Sequence, residues 1–196
     1  MNLKIEKELL SRFPWAIKIR PEKEDYIIPE LVDSLLIDSV PNKVVLETQS
    51  FPLIASAISQ FNAQNTKNRD VQLFTTYRSN AYDNANLSRI VLGGLNFTYS
   101  SGSKPLDRSY EDPFIRNYII KFGKPPNKEA VRGYDVTIDA ILRIAVSKKL
   151  QNSLYLGETQ YESNRFLYKE NSNESFINKA QYILQHYGCE IIEIKE

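Results

Sequence analysis

The sequence predicts an α/β fold: a three-layer parallel sheet with flanking helices. Residues 30 to 99 alternate helix-like and strand-like apolar patterns, as a parallel sheet covered by helices does. The run from Lys43 to Glu47 is short and apolar, as a strand buried on both faces is. The composition is ordinary for a folded protein, with 42% hydrophobic and 25% charged residues among 196. That excludes wholesale disorder and fibrous repeats, and fits one compact domain or two small lobes.

The elements follow in order. Leu3 to Arg12 reads as a helix that Pro14 ends. Trp15 to Arg20 alternates like a strand, and Pro21 to Asp25 is a polar turn. Pro29 suits the first turn of a helix over Glu30–Ser39, where its missing N–H is no loss. Leu31, Leu35 and Leu36 would be its apolar stripe. Pro41-Asn42 signals a turn before the Lys43–Glu47 strand, and Thr48 to Ser50 offers an N-cap. Leu53, Ile54, Ala57, Ile58 and Phe61 recur at helical spacing within Phe51–Ala63. After a polar loop, Val71–Thr75 is a strand. Ala85–Leu92 reads as a helix capped by Gly93-Gly94, and Leu95–Tyr99 as a third strand.

Ser100 to Asp112 lacks an apolar period and serves as a connector or hinge. Pro113–Phe122 is a helix broken by Gly123 to Asn127. Lys128–Lys149 is a long helix whose core face would hold Val131, Tyr134, Ile138, Ile141, Leu142 and Ala145. The tail reads as a strand near Arg165–Tyr168, a helix near Phe176–His186 and a closing strand over Cys189–Ile194. The organisation is then 1–28 leading in, 29–100 an α/β unit, 101–112 a crossing segment, and 113–196 helices with closing strands.

Charge and residue counts narrow the function. Lys+Arg 25 against Asp+Glu 24 leaves a net charge of +1 and no clustered basic face, which argues against a nucleic-acid binder. One Cys and one His argue against a disulfide framework, a thiolate zinc site or a His-based metal cluster. No cofactor is expected: there is no Walker loop, and Gly93-Gly94 follows a helix rather than a strand. No run approaches the roughly 20 apolar residues that span a bilayer, so membrane insertion is not expected. The first ten residues are charged and amphipathic, unlike a signal peptide. A soluble chain is expected, either cytoplasmic or a piece of a longer exported protein.

Asp135 and Asp139 stand four apart on one helix face, the spacing of a carboxylate pair for metal or acid/base work. The alternative is structural: exposed acids at a helix start, or one Asp bonded to Arg132 or Arg143. The structural reading is favoured, because no partner His or glycine-rich approach accompanies the pair. His186 reads as a residue near a helix C-terminus, and Cys189 as a buried inert thiol. Neither suggests catalysis.

In open α/β sheets, ligands bind beyond the carboxyl ends of the strands. Those ends here carry Glu47, Thr48, Ser50, Thr76, Tyr77, Arg78 and Tyr99. Hydroxyls, a carboxylate, a guanidinium and two rings can hydrogen-bond and stack on a small polar ligand.

The run Val44–Thr48, the helix after it and the strand ending in Phe74-Thr-Thr76 resemble the second lobe of a type I periplasmic binding protein of the branched-chain amino acid receptor kind. So does the stretch Phe114–Gly123, Pro125–Asn127 and Ala130–Val136, which is similar to the family's return to its first lobe. More narrowly, the chain resembles the receptor-like region that follows LysM peptidoglycan-binding repeats in Bacteroidetes cell-envelope proteins. The resemblance implies a non-catalytic module, incomplete relative to the full two-lobe fold. Residues 29–100 would be second-lobe-like and 113–196 first-lobe-like. It would belong to a longer exported protein of the periplasm or cell envelope and bind a small polar molecule or peptidoglycan fragment. A structural module that forms a homodimer without a small-molecule ligand is the alternative.

Overall fold

A computed structural model describes residues 3–21, 25–65, 69–106, 111–171 and 175–195. The chain forms two compact units, one of Met1–Ser100 with Ile183–Glu196 and one of Ser101–Tyr182.

The first unit is built on a five-stranded mixed sheet. Its strands are β1 (Pro41–Val45), β2 (Asp70–Thr75), β3 (Thr98–Ser101), β8 (Tyr182–Tyr187) and β9 (Glu190–Glu193), in the order β1-β2-β3-β8-β9. β1, β2 and β3 run parallel, with Pro41 opposite Asp70 and Thr75 opposite Tyr99. β8 and β9 pair antiparallel, Tyr187 opposite Glu190. The sheet is therefore mixed rather than wholly parallel. β1 is its edge, and its residues alternate between exposed and half-buried instead of being buried on both faces.

Two helices of this unit precede β1 and two lie in the crossovers between its parallel strands. α1 (Leu3–Arg12) carries a Glu8–Arg12 pair one turn apart. The expected strand at Trp15–Arg20 is absent: these residues are exposed and pair with no strand among the described residues. Alternation alone cannot hold a strand that has no neighbour to bond. α2 (Pro29–Leu35) opens on Pro29 as expected but stops short of Ser39, and buries Val32 rather than Leu31. α3 (Phe51–Asn65) buries the anticipated Leu53, Ile54, Ala57, Ile58 and Phe61, packing on α2 and β2.

The β2–β3 crossover is more broken than one helix over Ala85–Leu92. It contains a 3-10 turn (Asn80–Asp83), a bend, and the short α4 (Arg89–Gly94). The Asn84 side chain accepts from the Asn86 N–H at 2.9 Å, giving the backbone an alternative to a helix. The glycine pair lies inside α4, and Leu95 is the residue after it. A Cβ on Gly93 would lie 2.1 Å from the Gly188 carbonyl oxygen, so the turn between β8 and β9 packs directly on this helix.

The second unit holds α5 (Pro113–Phe122), α6 (Lys128–Ser147), a 3-10 segment (Leu150–Leu156) and two short hairpins. The hairpins are β4 (Thr159–Gln160) with β5 (Arg165–Phe166), and β6 (Tyr168–Asn171) with β7 (Ser175–Asn178). α5 has the predicted bounds for a local reason. Asp112 caps it by accepting from the N–H groups of Phe114 and Ile115, Pro113 begins it, and Gly123 ends it at φ 70°.

Two expectations here are overturned. The predicted helix at Phe176–His186 is instead β7 and β8. Tyr182, Leu184 and His186 are buried and their neighbours point out, a period of two rather than 3.6. Cys189 follows in the exposed β8–β9 turn, so its thiol is not buried. On α6 the expected core face is largely exposed: Tyr134, Ile141, Leu142 and Ala145 face outward. The buried stripe is Val131, Asp135, Asp139 and Arg143, four residues apart at each step.

Candidate functional site

Two polar clusters merit separate description, one in each unit. In the second unit, Asp135 and Asp139 are fully buried, not exposed acids. Asp135 Oδ2 accepts from the N–H groups of Ser163 and Asn164 at 3.0 and 2.9 Å, and from Asn164 Nδ2 at 2.8 Å; Oδ1 accepts from Glu162 N–H. One carboxylate thus holds the 162–164 loop. Asp139 receives both oxygens' worth of donation from Arg143 Nε, at 3.0 and 2.9 Å. Its Oδ1 also accepts from the hydroxyls of Thr159 and Tyr161. Arg143 further donates to the carbonyls of Ser153 and Gly157 and lies 5.0 Å from the Tyr168 ring centre. Every oxygen of this pair is engaged by donors from the fold. The cluster is a structural hub, with Arg143 as the partner that the sequence reading named.

The second cluster is the carboxyl end of the parallel strands in the first unit. Glu47 lies just beyond β1 and reaches the end of β2. Its Oε1 accepts from the Thr76 N–H at 2.6 Å and the Thr75 hydroxyl at 3.2 Å, and its Oε2 from the Thr76 hydroxyl at 3.0 Å. The Thr75 hydroxyl also contacts the Tyr77 backbone, tightening the bend where β2 ends. Tyr77 itself is 59% exposed. Arg78 turns back onto the sheet: its guanidinium carbon stands 5.1 Å from the Tyr99 ring centre, and Nη2 donates to Asp83 at 2.6 Å.

Glu47, Thr76, Tyr77, Arg78 and Tyr99 therefore come together around the ends of β1, β2 and β3. Thr48 serves a different task, accepting from the Ser50 N–H at the start of α3, and the Ser50 carbonyl accepts from Ile54 N–H.

Five residues that the sequence reading did not place here also belong. Tyr82 stacks on Phe97 at 4.8 Å, Phe97 lies 5.3 Å from Tyr99, and His186 packs on both, at 5.6 and 6.0 Å. Ser79 and Asp83 flank the 3-10 turn that carries Tyr82. The missed signal was the period-two pattern of Tyr182, Leu184 and His186, which places His186 on a sheet face.

The electrostatics follow from burial. Burial raises the Tyr82 phenol to about 12; the Glu47 charge adds to this, while the Thr75 hydroxyl and Arg78 oppose it. Burial also raises Tyr99, with Arg78 opposing and Asp83 reinforcing. His186 is lowered to about 4, first by burial and then by the positive charges of Arg78 and Arg89. The imidazole is neutral at pH 7. Among the described residues, no three His, Cys, Asp or Glu side chains gather as a metal site. No helix among them is long and apolar enough to cross a membrane.

Comparison with known protein families, curated proteins and solved structures returns no match.

Proposed function

We propose that the first unit is a non-catalytic ligand-binding module, and that it binds a small polar molecule beyond the carboxyl ends of β1, β2 and β3. One observation carries the reading. Glu47 and Arg78 are each fixed at a strand end, by the Thr75–Thr76 hydroxyls and by Asp83 and Tyr99 respectively, with exposed Thr76 and Tyr77 beside them. A held acid and a held cation at this edge are what recognition of a small polar ligand needs. The buried Asp135 and Asp139 of the second unit are engaged by the fold, which favours binding over catalysis by that pair. The likeness to type I periplasmic binding proteins extends the proposal to a cell-envelope or periplasmic protein whose ligand is an amino acid or a peptidoglycan fragment.

The test is a melting curve of the full chain with amino acids and muropeptides. Binding to the folded state alone raises the melting temperature. The expected result is a saturable rise with at least one compound, reduced in Glu47→Gln. A curve that no compound moves would end this reading.

The second reading is self-association without a small ligand. The exposed Tyr134, Ile141 and Leu142 of α6 favour it, because such a face is stabilised when a second copy covers it. Sedimentation would show a dimer that Leu142→Glu dissociates. A strict monomer would count against it.

A further inference from the structure

Four polar atoms on residues that pack on the Phe97–Tyr99 ring pair have no hydrogen bond of good geometry, Arg78 Nε, Tyr82 Oη and both ring nitrogens of His186, and neither does Ser79 Oγ, between Arg78 and Tyr82 in sequence. All are shielded from solvent, and Tyr82 and His186 are each 3% exposed. Buried polar groups are nearly always paired, because an unpaired one costs roughly 1–3 kcal/mol. Four such atoms on one pair of rings are not what packing alone would select; Phe at positions 82 and 186 would fill the same space without that cost. Ser79 stands at the N-cap position of the 3-10 turn, yet its hydroxyl caps nothing.

Four of the five atoms can donate: the guanidinium N–H, the two hydroxyls and one N–H of the neutral imidazole, whose other nitrogen accepts. Arg78 and Arg89 both make the surroundings of His186 electropositive. Arg78 is already paired with Asp83, and the Glu47 charge is felt at Tyr82. The balance therefore suits a single negative charge and disfavours a dianion.

We propose that this cluster is the anchor for the carboxylate of a small organic acid, which accepts from Arg78, Ser79, Tyr82 and His186. The inference rests on the ligand-binding reading above and names the group that the site would hold. Thr76 and Tyr77, next in sequence to Arg78, are exposed.

His186 is the chain's single histidine, so its ring nitrogens give unambiguous NMR signals. The experiment titrates the full chain with acetate, lactate and pyruvate, and in parallel with acetamide, lactamide and pyruvamide. The expected result is a saturable shift of the His186 nitrogens with a carboxylate and none with its amide. Tyr82→Phe, which keeps the ring stack, should weaken that binding at least tenfold. Ser79→Ala provides a second, milder variant should Tyr82→Phe fold poorly.

Equal response to amides overturns the proposal, as does no response to any carboxylate. So does a high-resolution structure with carboxylate present in which internal water alone meets these atoms. If amino acids or muropeptides raise the melting temperature through Glu47 while the His186 signals stay fixed, the proposed function stands and this inference falls. If neither readout moves, both fall.

Discussion

Adjacent glycines in α4 should respond to the same substitution with opposite signs. Both Gly93 and Gly94 are helical, so Ala at either gains up to about 1 kcal/mol from helix propensity, less at the helix end. At Gly94 nothing lies within 4 Å of an added Cβ, and Gly94→Ala should stabilise by about 0.5 kcal/mol. At Gly93 the Cβ would meet Gly188 O at 2.1 Å, N at 2.7 Å and C at 2.8 Å. These are backbone atoms of a turn already held at φ 59°, so no side chain can swing aside. Opening that contact by more than 1 Å sits at the upper end of the overpacking range, roughly 3 kcal/mol. After the propensity gain, Gly93→Ala should destabilise the first unit by about 2 kcal/mol. With a urea slope of about 2 kcal/mol/M, the midpoint should fall by about 1 M, followed by circular dichroism. A Gly93→Ala midpoint that rises alongside that of Gly94→Ala would refute the claimed packing of α4 on the β8–β9 turn.

Three further outcomes are expected. Arg143→Met should cost about 3–5 kcal/mol, since it leaves Asp139 buried without its guanidinium. The double variant with Asp139→Asn should cost clearly less than the sum, read by denaturation of all four proteins. Asp112→Ala should cost about 1 kcal/mol through loss of the α5 cap, and Asp112→Asn much less; a thermal melt checks both. His186 binds its proton near pH 6.5 when unfolded but only near about 4 when folded. Between those values the unfolded state holds more protons, so stability is full above pH 6.5, falls as pH drops from there towards 4, and levels off below it. The loss approaches about 3 kcal/mol, at 1.36 kcal/mol per pH unit. Denaturation at pH 7, 5 and 4 measures it, and His186→Phe should flatten that part of the profile.

What the sequence made legible were the elements whose signals are local. α5 is fixed by Asp112, Pro113 and Gly123, all within one turn of its ends. α3 shows its buried face because five apolar residues fall on one stripe. The parallel β1-β2-β3 arrangement follows from alternation of element types, and the strand-end rule brought Glu47, Thr76, Tyr77, Arg78 and Tyr99 to one place.

What was not legible depends on long-range partners. α6 is amphipathic, but periodicity does not say which face the rest of the chain covers. The donors of the 162–164 loop and Thr159 required acceptors, so Asp135 and Asp139 went inside and Ile141 and Leu142 stayed out. Residues 176–186 contain apolar spacings compatible with a helix, and only pairing decides for strands, β7 with β6 and β8 between β3 and β9. That error hid His186, and with it two of the five unpaired atoms. Trp15–Arg20 failed in the opposite sense, alternating like a strand with no neighbour to bond.

The central claim is that the carboxyl end of the β1-β2-β3 sheet binds a small polar ligand. Backbone amide mapping of the full chain against the amino-acid, muropeptide and small-carboxylate panel tests it most directly. The account predicts saturable shifts gathered at Glu47, Thr76 to Arg78, and Tyr99. No saturable shift with any compound, or shifts confined to residues of the second unit such as the 162–164 loop, would contradict it.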